Sequence, residues 1–216
     1  MNTPMILEAV AAVQRAILAS EAQIESLDRA IGDGDHFINV RRGCEVAVSL
    51  SAELGDLPPA LTLHKIGMKL LGTIGGASGP LIASFFMAMG KGLEGLAEPD
   101  RAEFAAAFAA GVEAIKQRGK ADVGEKTMLD VLIPVSRLLI RLVDDETPLP
   151  ELCAQLKEEA SRNMLATRDM IASKGRASFL GERALGHIDP GCKTCEVAIG
   201  AVCDSVLPST LSQEAA

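Results

Sequence analysis

Three aspartates fall within eight residues in the stretch Leu27-Asp28-Arg29-Ala30-Ile31-Gly32-Asp33-Gly34-Asp35-His36. Asp33 and Asp35 stand two apart, so in an extended loop both side chains leave the backbone on the same side. Carboxylates about 5 Å apart repel by roughly 3 kcal/mol per pair at an effective dielectric of about 20, a cost that a bound cation removes. Hard oxygen donors of this kind suit magnesium, which is commonly shared with substrate phosphates. A plainer reading also fits the stretch: Asp33 caps the following helix while Asp28 and Asp35 are solvated. An EF-hand does not fit, because counting from Asp33 puts Ile38 where the turn glycine belongs and Cys44 where the bidentate glutamate belongs.

A second segment, Gly72-Thr73-Ile74-Gly75-Gly76-Ala77-Ser78-Gly79-Pro80, delivers a glycine-rich loop into a helix start. Free backbone N–H groups there suit an anion, and a flexible connection between helices fits equally. Gly119 to Thr127 imitates a phosphate-binding P-loop. However, Glu125 is inserted before Lys126-Thr127 and a helix, not a strand, precedes the segment, so a P-loop is rejected. Gly119 and the turn from Gly124 to Met128 remain candidates for ligand contact. A fourth loop holds Lys174-Gly175-Arg176-Ala177-Ser178 and Gly186-His187-Ile188-Asp189-Pro190-Gly191. Its Arg176 has the planar fork that suits phosphate or ribose, or is a solvated loop residue. His64 reads as a helix-surface residue. Cys192 and Cys195 form a lone CxxC with no second pair, and the odd total of five cysteines points to reduced thiols.

Elements that would position these loops are legible as helices. Ala, Leu, Ile, Val and Met dominate, Trp and Tyr are absent, and no strand-like alternation occurs, which predicts an all-α, single-domain fold. Punctuation predicts eight helices. The first starts at an N-cap Thr3 before Pro4 and runs towards Leu27; the second covers about Asn39 to Leu54. The third begins at Pro58-Pro59 and ends near Gly72, and the fourth runs from Pro80 to about Leu93. Asp100 and Glu103 form a capping box for the fifth, which ends before Gly119, and Thr127 with Asp130 opens the sixth. The seventh follows Thr147-Pro148 towards Ala172, and the eighth spans about Pro190 to Val206. The four unusual loops follow helices one, three, five and seven, so an antiparallel up-and-down arrangement places all of them at one end. One domain over 1–210 and a short flexible tail at 211–216 are expected.

A formal net charge of −8 speaks against a broad nucleic-acid surface, so any phosphate binding here needs a mediating cation. Met1 to Met5 lacks the basic start of a signal peptide, and Leu81 to Met89, the longest apolar run, is too short to span a bilayer. A cytoplasmic protein without membrane contact is expected.

Taken together, Ile31-Gly-Asp-Gly-Asp-His36, Gly75-Gly-Ala-Ser-Gly-Pro-Leu81, Lys126-Thr-Met-Leu-Asp130, Gly175-Arg-Ala-Ser178, Gly181-Glu-Arg183 and Asp189-Pro-Gly191 resemble the ADP-binding L subunits of dihydroxyacetone kinases. The likeness spans nearly the whole chain. It implies an antiparallel eight-helix barrel with the nucleotide at one rim, and magnesium, as two ions, held by Asp28, Asp33 and Asp35 and bridging to ADP or ATP. His36, Phe37, Ile38, Asn39, Ala77, Ser78, Gly119, Met128, Arg176, Asp189, Pro190 and Gly191 would surround the nucleotide. Phe37 and Ile38 replace the small residues of the family pattern, and Ile82-Ala83 stands where Tyr-Gly is frequent. The resemblance further implies a relay: a phosphohistidine-bearing M subunit of the sugar phosphotransferase system rephosphorylates retained ADP. The ATP formed then phosphorylates dihydroxyacetone on a K subunit, which carries the substrate-binding histidine. Two other roles stay open, a subunit that exchanges free ATP for use on another triose or tetrose and a nucleotide-loaded partner of a transcription regulator.

Overall fold

The computed structural model describes residues 1–76 and 78–207, and every regular element among them is helical. Ala77 and the expected tail at 211–216 lie outside the described residues. The elements are α1 (Thr3–Ala19), α2 (Glu21–Ile31), α3 (His36–Ser49), the single turn α4 (Ser51–Leu54), α5 (Pro59–Leu71), α6 (Ser78–Gly92), α7 (Arg101–Gly119), α8 (Leu129–Asp144), α9 (Leu149–Ala166) and α10 (Pro190–Val206), with 3₁₀ turns at Thr167–Asp169 and Arg176–Ala184.

The expected helix starts are mostly found where cap chemistry put them. Asp100 and Glu103 exchange both hydrogen bonds of a capping box, each at 2.8 Å. The first N-cap is Asn2 rather than Thr3: the Asn2 side chain accepts from the Met5 N–H at 3.1 Å, which frees the Thr3 hydroxyl to donate to the Leu57 carbonyl at 2.6 Å. The first expected helix is two, broken at Ser20, and the seventh stops at Ala166, short of Ala172. His64 is exposed, as expected.

The long helices pack on one another in a circuit. α1 meets α3, α3 meets α5, contacts continue through α6, α7, α8 and α9 to α10, and α10 returns to α1. This closed circuit is the connectivity of an up-and-down barrel. Its apolar residues accordingly form several seams between adjacent helices instead of one central mass. Val131, Val135, Leu138 and Leu142 of α8 face Leu152, Leu156, Ala160 and Met164 of α9; Ile6, Leu63, Met89, Leu93 and Ala107 join α1, α5, α6 and α7. The tightest approach, α5 on α6, depends on glycines: a Cβ at Gly67 would stand 2.9 Å from the Ala83 carbonyl oxygen, and one at Gly90 2.6 Å from that of Ala60. No helix among the described residues is long and apolar enough to cross a membrane.

Candidate functional site

The last turn of α2 holds Asp28, and the connection to α3 holds Asp33 and Asp35. Asp28 is only 4% exposed, whereas Asp33 and Asp35 face solvent, and one carboxylate oxygen from each lies within 4.8 Å of the others. Two neighbours fix Asp28. Its Oδ2 accepts the His36 backbone N–H at 3.0 Å, and its Oδ1 fills the space where a Gly32 Cβ would stand, 1.8 Å away. Gly32 is extended (φ −114°), so its lack of a side chain matters for room and not for backbone freedom. A buried carboxylate beside two more is unfavourable without positive charge. Three hard oxygens converging on one point with no thiolate or imidazole among them are a donor set that fits magnesium.

The four unusual loops do meet. Arg176 Nε reaches Asp33 Oδ2 at 2.7 Å, joining the fourth loop to the first. His36 Nε2 shares a 2.8 Å hydrogen bond with Thr194 Oγ1 of α10. A Cβ on Gly75 would lie 3.2 Å from Asn39 Oδ1, and one on Gly119 3.4 Å from Leu81, so the second loop touches the first and the third. Met128 lies beside Gly191, whose added Cβ would be 3.7 Å from the Met128 backbone nitrogen. The Cys192 thiol donates to the Thr127 carbonyl at 2.8 Å. Four helices, α3, α6, α8 and α10, therefore begin at this rim, and each presents first-turn N–H groups there. Contacts of Thr3 with Leu57, of the Met1 amine with the Pro99 carbonyl, and of Arg101 with the Thr147 carbonyl tie up the connections after α4, α6 and α8 elsewhere.

Of the residues expected around a nucleotide, His36, Ile38, Asn39, Ser78, Gly119, Met128, Arg176, Asp189 and Gly191 sit on this rim. Phe37 turns its ring into the core with Ile17 and Ile24, and Pro190 is buried, so both can offer only backbone. Burial lowers the His36 pKa against the opposing pull of Asp28, Asp35 and Asp33, which keeps the ring inclined to neutrality. Asp189 caps α10 by accepting from the Cys192 N–H at 2.7 Å, while burial pushes its carboxyl up to about 6. The thiols of Cys192 and Cys195 are raised by burial, the latter to about 12. They are protonated at neutral pH and unsuited to redox or thiolate-metal work.

Two supporting residues escaped sequence reasoning in their roles. Asp130, 1% exposed, accepts the Thr127 N–H at 2.7 Å through Oδ2 and the Gly124 N–H through Oδ1, so it shapes the third loop from the first turn of α8. Lys126, equally buried, adopts φ 58° and donates from Nζ to the carbonyls of Ala184 at 2.6 Å and Met170 at 3.1 Å. A lysine in a polar, glycine-bearing loop gives no hint of burial; its backbone partners lie some fifty residues away in sequence, as the separations of 44 and 58 show.

Residues 30–204 match the family model described as the DAK2 domain. The chain is 37% identical over 185 residues to the PEP-dependent dihydroxyacetone kinase 2 ADP-binding subunit DhaL of Listeria innocua, covering 85% of each chain. It is 36% identical over 179 residues to the corresponding subunit of Escherichia coli, covering 81% of this chain and 84% of that one. Among solved structures, the dihydroxyacetone kinase from C. freundii in complex with AMP-PNP and Mg2+ is similar with a TM-score of 0.73 and 27% identity, over 94% of this chain and 34% of that longer one.

Proposed function

Because this chain belongs to the DAK2 domain family, we propose that it is the nucleotide-holding subunit of a phosphoenolpyruvate-dependent dihydroxyacetone kinase. The observation that carries this reading is the convergence of Asp28, Asp33 and Asp35 oxygens within 4.8 Å at the rim where four helices begin. Asp28, Asp33 and Asp35 would hold magnesium. His36 to Asn39, Ser78, Gly119, Met128, Arg176 and the turn at Asp189 would line the nucleotide.

Magnesium nucleotide bound there supplies a transferable phosphoryl group together with the cation that offsets its charge. The chain's own residues do the positioning. The His36 N–H holds Asp28 in one orientation, which lowers the cost of assembling the site. Arg176 brings a permanent positive charge to Asp33 Oδ2 at 2.7 Å and would pair with phosphate oxygens of the nucleotide. No nucleophile is required, since phosphoryl transfer rests on alignment and charge neutralisation.

The acceptor belongs to a partner. Phe179, on the same loop as Arg176, is 81% exposed, and Ile38, Val123, Ile171 and Leu185 are further exposed apolar residues on the rim. An apolar surround of this kind suits a subunit that docks over the site and keeps water from the transfer. The K subunit would bring dihydroxyacetone and the M subunit the phosphohistidine, with ADP retained between turnovers. Purified chain combined with K and M subunits should phosphorylate dihydroxyacetone from phosphoenolpyruvate and the general phosphotransferase proteins, without added free nucleotide. Activity only when ATP is supplied in excess would replace the relay with free exchange; no activity under either condition would sink both.

A further inference from the structure

We propose that Lys126 is a positioning residue for Arg176: its buried ammonium clamps both ends of the segment that carries the arginine. This rests on the nucleotide reading above. Lys126 is 1% exposed and so cannot itself reach a ligand at the surface. Its Nζ donates to the Met170 carbonyl at 3.1 Å and the Ala184 carbonyl at 2.6 Å, on either side of the stretch that carries Arg176.

Between those points the segment is lightly held. Ala172, Ala177 and Ala184, with the half-buried Leu180, rest on Ile31, and apart from that leucine the segment's side chains in this contact are alanines. Ser173 adds two hydrogen bonds to Glu125, the residue just before the lysine, at 3.3 Å through its N–H and 3.1 Å through its hydroxyl. The 3₁₀ run Arg176–Ala184 contains a non-helical kink at Gly181, φ 56°, and its Phe179 ring is exposed. Such a segment has few local reasons to keep one conformation. Arg176 nevertheless lies 2.7 Å from Asp33.

Lys126 is itself held in place. It adopts a left-handed conformation, φ 58°, and the next N–H, that of Thr127, donates to the buried Asp130. A buried ammonium that satisfies itself on carbonyl oxygens, with no ion pair to it among the described residues, is unfavourable compared with a methionine of similar length. Its use here follows if two orphan carbonyls at the ends of one loop need a single strong donor between them. The chain of action is then Asp130 to the 124–127 turn, Lys126 to both loop ends, and the loop to Arg176.

The test uses the full chain with Lys126→Met, Arg176→Ala and the double variant. Helix content by circular dichroism and two quantities are read: amide exchange across 170–186 without added nucleotide, and the Kd for Mg-ADP by calorimetry. Lys126→Met should speed exchange in 170–186 at least about tenfold while α9 stays protected. It should weaken Mg-ADP binding by about the same factor as Arg176→Ala, and in the Arg176→Ala background it should weaken it less than about twofold further. Lys126→Arg, which keeps the donors, should restore much of the loss. Unchanged exchange, or penalties that multiply in full, would overturn the proposal. Should Lys126→Met fail to fold, Lys126→Gln, which retains one donor group, takes its place: faster exchange with penalties that do not multiply supports the clamp, and unchanged exchange or full multiplication overturns it. A parent chain that binds no Mg-ADP overturns the nucleotide reading and the coupling to Arg176, whereas the exchange measurement still decides the clamp.

Discussion

Replacing Gly32 by alanine tests the orientation of the buried aspartate. The new Cβ would stand 1.8 Å from Asp28 Oδ1 and 2.9 Å from the Asp28 carbonyl oxygen, so the carboxylate must swing away and the backbone must yield as well. The φ of −114° is itself open to any residue, so the backbone shift comes from the close approach to the Asp28 carbonyl and not from a forbidden conformation. Swinging the carboxylate breaks its 3.0 Å hydrogen bond from the His36 N–H. Hydrogen bonds to a charged group are worth about 1.5–3 kcal/mol, and about 1.4 kcal/mol is a factor of ten in affinity. Gly32→Ala should therefore weaken Mg-ADP binding by roughly ten- to a hundredfold. Gly34→Ala is the control: at φ +81° it strains the backbone by about 1–2 kcal/mol, yet its Cβ meets nothing within 4 Å and should leave Asp28 in place. The lack of Trp and Tyr makes a simple assay available, since adenine carried through gel filtration dominates the ultraviolet spectrum of a chain whose aromatic residues are six phenylalanines. Calorimetry with Mg-ADP then gives the Kd. A Gly32→Ala chain that binds within about twofold of the parent refutes the claim that Asp28 must be held in this orientation.

Two further outcomes are expected. Burial raises the Asp189 carboxyl from an ordinary 3.8 to about 6, so its contribution to stability is fully present below the unfolded value and is lost as pH rises through the folded one. Asp189→Asn keeps an acceptor for the Cys192 N–H, removes the titration, and should gain up to about 3 kcal/mol on the parent between about pH 4 and about pH 7.5 in urea melts; a difference independent of pH contradicts this. Phe179→Ser should leave thermal stability and Mg-ADP binding unchanged, because the ring is 81% exposed, while weakening co-purification with the K subunit; equal assembly by the variant removes Phe179 from the docking surface.

The sequence alone determined the helical class and most helix starts, because caps act over three or four residues. Asp100 with Glu103 and Asp189 before Pro190 each act within a single turn, whereas α8 starts two residues past the expected Thr127 with no side-chain cap. The parity of the unusual loops was legible for a similar reason: alternation in an up-and-down chain is a matter of counting. The aspartate trio could be proposed from spacing in one loop, but its distances and the burial of Asp28 could not, since they depend on the empty side of Gly32 and on the N–H of His36. Breaks at Ser20 and after Ala166 were invisible, because neither carries a proline or glycine to stop the helix and packing around the closed circuit decides where the chain must bend. Only the tertiary structure showed Lys126 as a buried donor. Its carbonyl partners come from residues 44 and 58 positions away, and a hydrogen bond to a backbone oxygen leaves no trace in the partner's side chain.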